Sequence, residues 1–282
     1  FDLGQTIRLD PAAQDSLIFA AASDGQIYAL EDRGNSADLK WVTSLGLPAV
    51  SGASVFSGTV FVAAASGDTH LMYALNQEDG AIRNSYQTTG PGLRPPAIGN
   101  QLIYIADGGI SAVDVNLTET VWSREIVGGV GAPPVYAYPG TNSLAELYVA
   151  DNSGKLISLD ANIGGDPLWT YDGSEALKGL ALGRVAVFAA GNDFVKAISR
   201  DEGKELWRTT VPGGVLGRPI VGDGLLILFT SSGFVIFIDG SSGVQVSSAS
   251  AGTPLGGAGA VSGEWVFLPG INRSMYGLRG GQ

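Results

Sequence analysis

The side chains able to do chemistry are few and spread along the chain. His70 is the single histidine among 282 residues and cysteine is absent. A nucleophile–base pair or a histidine-held metal would therefore have to be built on one imidazole in the turn Ser66-Gly67-Asp68-Thr69-His70. Nothing around it in the sequence supplies the remaining parts, and it reads as an ordinary loop residue. Five carboxylates, Asp24, Asp68, Asp107, Asp151 and Asp193, recur in comparable hairpin turns. Held one to a turn, they stand too far apart to share an ion, and they are expected to shape the turns rather than ligate calcium. No catalytic residue, metal or cofactor is expected. A third set is cationic: Arg94 before Pro95-Pro96, Lys178 before Gly179 and Arg218 before Pro219. If these occupy the same place in a repeated architecture, they gather at one rim and suit the carboxylate or phosphate of a small anionic ligand or a partner. Solubility at loop ends is the plainer reading of the same three residues.

The chain does repeat. A short phrase occurs seven times, as in Gly25-Gln26-Ile27-Tyr28-Ala29-Leu30, Gly154-Lys155-Leu156-Ile157-Ser158-Leu159 and Gly233-Phe234-Val235-Ile236-Phe237-Ile238. Its register positions Leu30, Leu75, Val113, Leu159, Ile198, Ile238 and Leu278 follow one another at 38 to 46 residues, the length of one four-stranded propeller blade. The pattern predicts an all-β, seven-bladed propeller of four-stranded antiparallel blades, a single domain over residues 1–282. In each repeat an apolar run, a Gly/Asn/Asp turn and a second apolar run read as a buried hairpin. An alternating outer strand follows. Trp41, Trp122, Trp169 and Trp207 fall at one place in that outer strand and are expected to anchor blade to blade. Asn84 and Ser247 take the place in the second and sixth repeats, which should pack more loosely unless Tyr86 substitutes. The last repeat stops short of its fourth strand, and residues 1–9 are expected to supply it and close the ring.

Bulk composition narrows the partners. Sixteen basic against 27 acidic residues give a net charge of -11, which repels a phosphate backbone and an anionic membrane surface. The longest apolar stretch, Leu225 to Ile238, is broken by Thr230-Ser231-Ser232-Gly233, and direct membrane insertion is not expected. The first residue is Phe, with no basic-then-apolar leader, so a mature product or an excised domain is expected, its export signal or anchor removed upstream.

The run Glu202-Gly203-Lys204-Glu205-Leu206-Trp207, followed by a Gly-rich loop and Pro219, resembles the repeat of pyrroloquinoline-quinone-like propellers. Leu159-Asp160-Ala161 through Trp169 and Tyr28-Ala29-Leu30 resemble it too, and the likeness covers essentially the whole chain. That superfamily includes quinoprotein dehydrogenases, the propeller lipoprotein of the outer-membrane barrel assembly machinery, and sensor or adhesion domains of bacterial surfaces. The resemblance implies a non-enzymatic, extracytoplasmic propeller, periplasmic or at the cell surface, that binds a protein or peptide partner through loops on one face. Two alternatives stay open at this point. One is a quinone-dependent dehydrogenase with Arg218 near an axial pocket, although the superfamily's enzymes carry eight blades, calcium and a vicinal cysteine pair. The other is a ligand-sensing domain of a larger surface protein or receptor kinase.

Overall fold

The structure, a computed structural model, describes residues 9, 11–33, 36–90, 94–139, 144–262, 265–269 and 275–279. Every regular element among them is a β-strand. The first blade runs β1 (Ala12–Gln14), β2 (Leu17–Ala21), β3 (Gln26–Asp32) and β4 (Ala37–Ser44). The second is β5 (Ser54–Phe56), β6 (Thr59–Ser66), β7 (Thr69–Asn76) and β8 (Ile82–Gln87), and the third β9 (Ala97–Gly99), β10 (Leu102–Ala106), β11 (Gly109–Asp114) and β12 (Thr120–Glu125). The fourth is β13 (Val135–Ala137), β14 (Glu146–Ala150), β15 (Leu156–Asp160) and β16 (Trp169–Tyr171). The fifth is β17 (Gly179–Leu182), β18 (Ala186–Ala190), β19 (Phe194–Ser199) and β20 (Glu205–Thr210), and the sixth β21 (Val215–Gly222), β22 (Leu225–Thr230), β23 (Phe234–Asp239) and β24 (Gln245–Ser250). A last sheet, β25 (Ala260–Ser262), β26 (Trp265–Pro269) and β27 (Met275–Arg279), has three strands.

The expected count of seven four-stranded blades is therefore corrected to six among the described residues. The seventh repeat does form a sheet, but a repeat phrase specifies only a hairpin, and a blade needs a fourth strand from elsewhere in the chain. The strand proposed for that role, residues 1–9, lies outside the described residues except for Leu9, which packs against the core of the first two blades. By chain contacts the protein divides into two compact units, Phe1–Leu147 with Asp160–Asp166, and Tyr148–Leu159 with Pro167–Gln282.

In each four-stranded blade the second strand is an apolar run buried nearly throughout on both faces, as in β6, where Thr59 to Ala64 are all buried. Outer strands alternate exposed and half-buried residues, as in β20. The register slips by one residue at the same point of five blades, between Ala29 and Leu30, Ala74 and Leu75, Ala112 and Val113, Ala197 and Ile198, and Phe237 and Ile238. A bulge there increases the local twist and turns the facing outer-strand residue toward the neighbouring blade. In the second, fourth and sixth blades the turn that precedes the outer strand is built by its own first residue. Asn76 Oδ1 accepts from the Glu78 amide, Asp160 Oδ1 from Asn162, and Asp239 Oδ1 from Ser241 and Ser242.

Candidate functional site

The residue that faces the bulge sets the seam between blades. Trp41, Trp122 and Trp207 stand opposite Ala29, Ala112 and Ala197, and Trp169 opposite Ser158. Each ring lies against an aromatic of its own second strand: Phe19, Tyr104, Tyr148 and Phe188, with centroids 5.7–6.0 Å apart. Each indole N–H donates to a carbonyl in the next repeat: Gln77, Ala161, Arg200 and Gly240. The ring also covers a turn glycine there, Gly80, Gly164, Gly203 or Gly243, all at positive φ, where an added Cβ would lie 2.2–2.6 Å from the indole. The second blade solves the seam differently. Asn84 takes the tryptophan position opposite Ala74, and its Nδ2 donates to the carbonyls of Asn116 and Leu117. The left-handed turn residue is then Leu117, φ +58°, whose side chain is buried with Phe61 and Tyr86. A groove of about 230 Å³ remains beside Asn84, lined in part by Thr59, Val115 and Asn116.

The seam between the fourth and fifth blades holds a charged cluster. Lys196 on β19 is 2% exposed. Its Nζ lies 3.6 Å from Glu175, 3.3 Å from the Tyr171 hydroxyl and 4.7 Å from the Phe194 ring centroid. Arg208, across the ladder from Lys196, grips Glu175 with both terminal nitrogens and stacks over Phe194. Arg208 and then Lys196 hold the Glu175 carboxyl down at about 2. Burial, and then the hydrogen bond it donates to Glu205, push the Tyr171 hydroxyl up to about 12. A lysine interrupting the apolar run Phe194-Val195-Lys196-Ala197-Ile198 is the one sequence sign of something unusual here, and it does not name its partners, since Tyr171 and Arg208 come from other strands and Glu175 from the loop between β16 and β17.

The three cations singled out in the sequence are placed as follows. Lys178 immediately precedes β17, and its Nζ donates to Asn192 Oδ1 at 2.8 Å. Arg218 is exposed and sits inside β21, in its irregular segment between Leu216 and Ile220, rather than ahead of the strand. The two segments meet closely, for a Cβ on Gly179 would fall 2.4 Å from the Arg218 Cα. Arg94, in the first unit, is half-buried just before β9, and its buried Nε has no hydrogen-bond partner among the described residues. His70 is the second residue of β7, not a turn residue, because the strand begins at Thr69. Asp24 accepts from the Gln26 amide, and Asp151 from the amides of Ser153 and Lys155. Asp107 accepts from Thr89. Among the described residues no group of three or more His, Asp or Glu side chains is arranged to hold a metal ion. No described helix is long and apolar enough to cross a membrane.

Comparison with known proteins bears on what such a surface serves. A family model described as outer membrane protein assembly factor BamB matches residues 40–176 and 163–270. The chain is similar to an outer membrane protein assembly factor BamB of Yersinia pestis, 27% identical over 147 residues, which are 48% of this chain and 37% of the relative. It is also similar to one of Bordetella pertussis, 24% identical over 256 residues, 82% of this chain and 62% of the relative. These matches thus span less than two thirds of either relative's length. Among solved structures, the crystal structure of BamB from Moraxella catarrhalis superposes with a TM-score of 0.76 at 21% identity, covering 98% of this chain and 84% of the other.

Proposed function

Because the chain belongs to the family of outer membrane protein assembly factor BamB, we propose that it is a non-enzymatic scaffold, periplasmic, that binds protein partners in outer-membrane protein assembly through loops on one face. The observation that carries this reading is the family match along most of the chain. The site chemistry is compatible with it: the charged and aromatic side chains at the seams are engaged with one another, as in a structural joint. Lys178 with Arg218, and separately Arg94 in the first unit, are the contacts we assign to a carboxylate-bearing partner or a small anionic ligand, on the strength of two close cationic segments in the one case and a half-buried guanidinium in the other, in a protein of net charge -11.

Affinity capture by this protein from the native envelope fraction tests the reading. A component of the outer-membrane assembly apparatus is expected among the captured proteins, and its absence overturns the scaffold assignment. Arg94→Ala, Lys178→Ala and Arg218→Ala together are expected to reduce capture severalfold and to lessen its sensitivity to salt. Unchanged capture removes the cationic positions from the interface while leaving the scaffold in place.

A further inference from the structure

Blades five and six differ at the outer rim of the face that each turns to the preceding blade, and the difference leaves a docking edge. In the fifth blade the rim pairs are Phe194 with Thr210 and Lys196 with Arg208. Lys196, Arg208, Tyr171 and Glu175 fill the space, and Phe194 is left only 2% exposed. The sixth blade repeats the register with Phe234 opposite Ser250 and Ile236 opposite Ser248. Its loop side carries Pro212 and Gly213. With serine and glycine standing where the fifth blade has large charged groups, a groove of about 350 Å³ opens over Ile236, and Phe234 is 43% exposed.

The strand bounding this groove is unlike the other outer strands. β4 carries Asp38 and Lys40, β8 Arg83, β12 Arg124 and Glu125, and β20 Glu205 and Arg208, while β16 is only three residues long. Charges on an edge, or a very short edge, oppose pairing with another chain. β24, Gln-Val-Ser-Ser-Ala-Ser, has six residues, no charge and no proline. Its outer side has no partner strand among the described residues, and Val244 and Val246 beside and within it are 63% and 60% exposed.

We propose that the outer edge of β24 accepts an extended, uncharged segment of a partner protein as an added strand, with one aromatic or branched aliphatic side chain of that segment seated in the groove over Ile236 and Phe234. The inference rests on the protein-binding reading above and names a surface and a partner chemistry for it. Three features select this occupant. An unpaired strand edge offers alternating backbone donors and acceptors that only another extended backbone can match. The absence of charge at the edge suits a neutral segment, whereas the net charge of -11 disfavours a second copy of this chain. Pro212, Phe234 and Ile236 give the groove an apolar lining that suits an aromatic or branched aliphatic side chain.

A fluorescein-labelled hexapeptide that alternates threonine and valine around one phenylalanine serves as probe, read by anisotropy and by hydrogen exchange of the intact protein. Saturable binding is expected, with slowed exchange at residues 245–250. N-methylation of alternate peptide amides should abolish it. Val246→Lys combined with Ser248→Lys should weaken it at least tenfold, and Leu206→Lys on β20 should not. No saturable binding, no protection at 245–250, or binding that survives N-methylation overturns the proposal without any substitution in the protein. So does a wild-type dimer in light scattering that the double variant loses, because a second copy would then be the occupant. Envelope capture separates the two readings: a wild type that captures no assembly component fails as a scaffold. A double variant that captures as well as wild type leaves the scaffold standing and sinks the β24 edge.

Discussion

Lys196 lies two residues before the register position of its repeat, where the other copies carry Tyr28, Tyr73, Ser111, Ile157, Ile236 and Tyr276. Burying an ammonium there is tolerable only because a carboxylate, a hydroxyl and an aromatic face receive it together. Glu175 is the member whose loss leaves two cations uncompensated, one of them buried, so Glu175→Gln is expected to lower the melting temperature more than Lys196→Met, which removes the buried charge itself. The acid limit follows from the same carboxylate. Its folded value, about 2, lies below the ordinary 4.5, so its contribution is complete above about pH 4.5 and is lost as the pH falls toward 2. Melting curves of wild type and Glu175→Gln should therefore converge between pH 4.5 and 2. A constant difference across that window would assign the effect of the substitution to shape instead of charge.

At the scale of the strand and the turn, tryptophan and glycine form one device contributed by two successive repeats. Truncating a buried Trp to Ala costs roughly 3–5 kcal/mol, and Trp207, half-buried, belongs at the lower end of that range. Gly243→Ala is destabilising for two separable reasons: φ is +72°, and a Cβ would stand 2.6 Å from the Trp207 ring. In a Trp207→Ala background the collision disappears while the backbone strain stays. Denaturant unfolding of the two single variants and the double should thus show coupling, the double costing less than the sum. Strict additivity would deny that the ring and the turn recognise each other. The second blade supplies the natural control, since with Asn84 at the tryptophan position the turn carries Leu117 at positive φ in place of glycine at the turn position that meets the ring.

Across the whole molecule, charge governs encounter. A protein of net charge -11 in which six basic side chains, Arg33, Lys40, Lys155, Lys196, Lys204 and Arg208, are committed to ion pairs presents little to a polyphosphate. No saturable binding of duplex DNA or single-stranded RNA is expected at physiological salt in a mobility-shift titration. Saturable binding with a steep salt dependence would contradict the charge argument. The same balance confines an anionic partner to places where cations cluster, which is why Lys178 and Arg218 on adjoining segments carry more of the proposal than their number suggests.

What could be read from one dimension was whatever repeats locally. The 38–46-residue spacing, the apolar strands and the hairpin turns reflect interactions within a single repeat, where a side chain's surroundings follow from its place in the phrase, and the recurrence of Trp41, Trp122, Trp169 and Trp207 marks a joint that each repeat makes with its neighbour in sequence. The number of four-stranded blades was not local in that sense. A hairpin phrase marks two strands, and whether a sheet gains its fourth depends on chain from another repeat. Nor was the Lys196 cluster legible, because Tyr171 and Arg208 reach it from other strands, and Glu175 from the loop between β16 and β17, only after twist and bulge have set the seam. The groove beside β24 is the extreme case. Ser248 and Gly213 are unremarkable in the sequence, and they matter only because folding sets them where the preceding seam holds arginine and glutamate. Short-range periodicity writes the strands, and packing between distant residues decides which of their faces are left open.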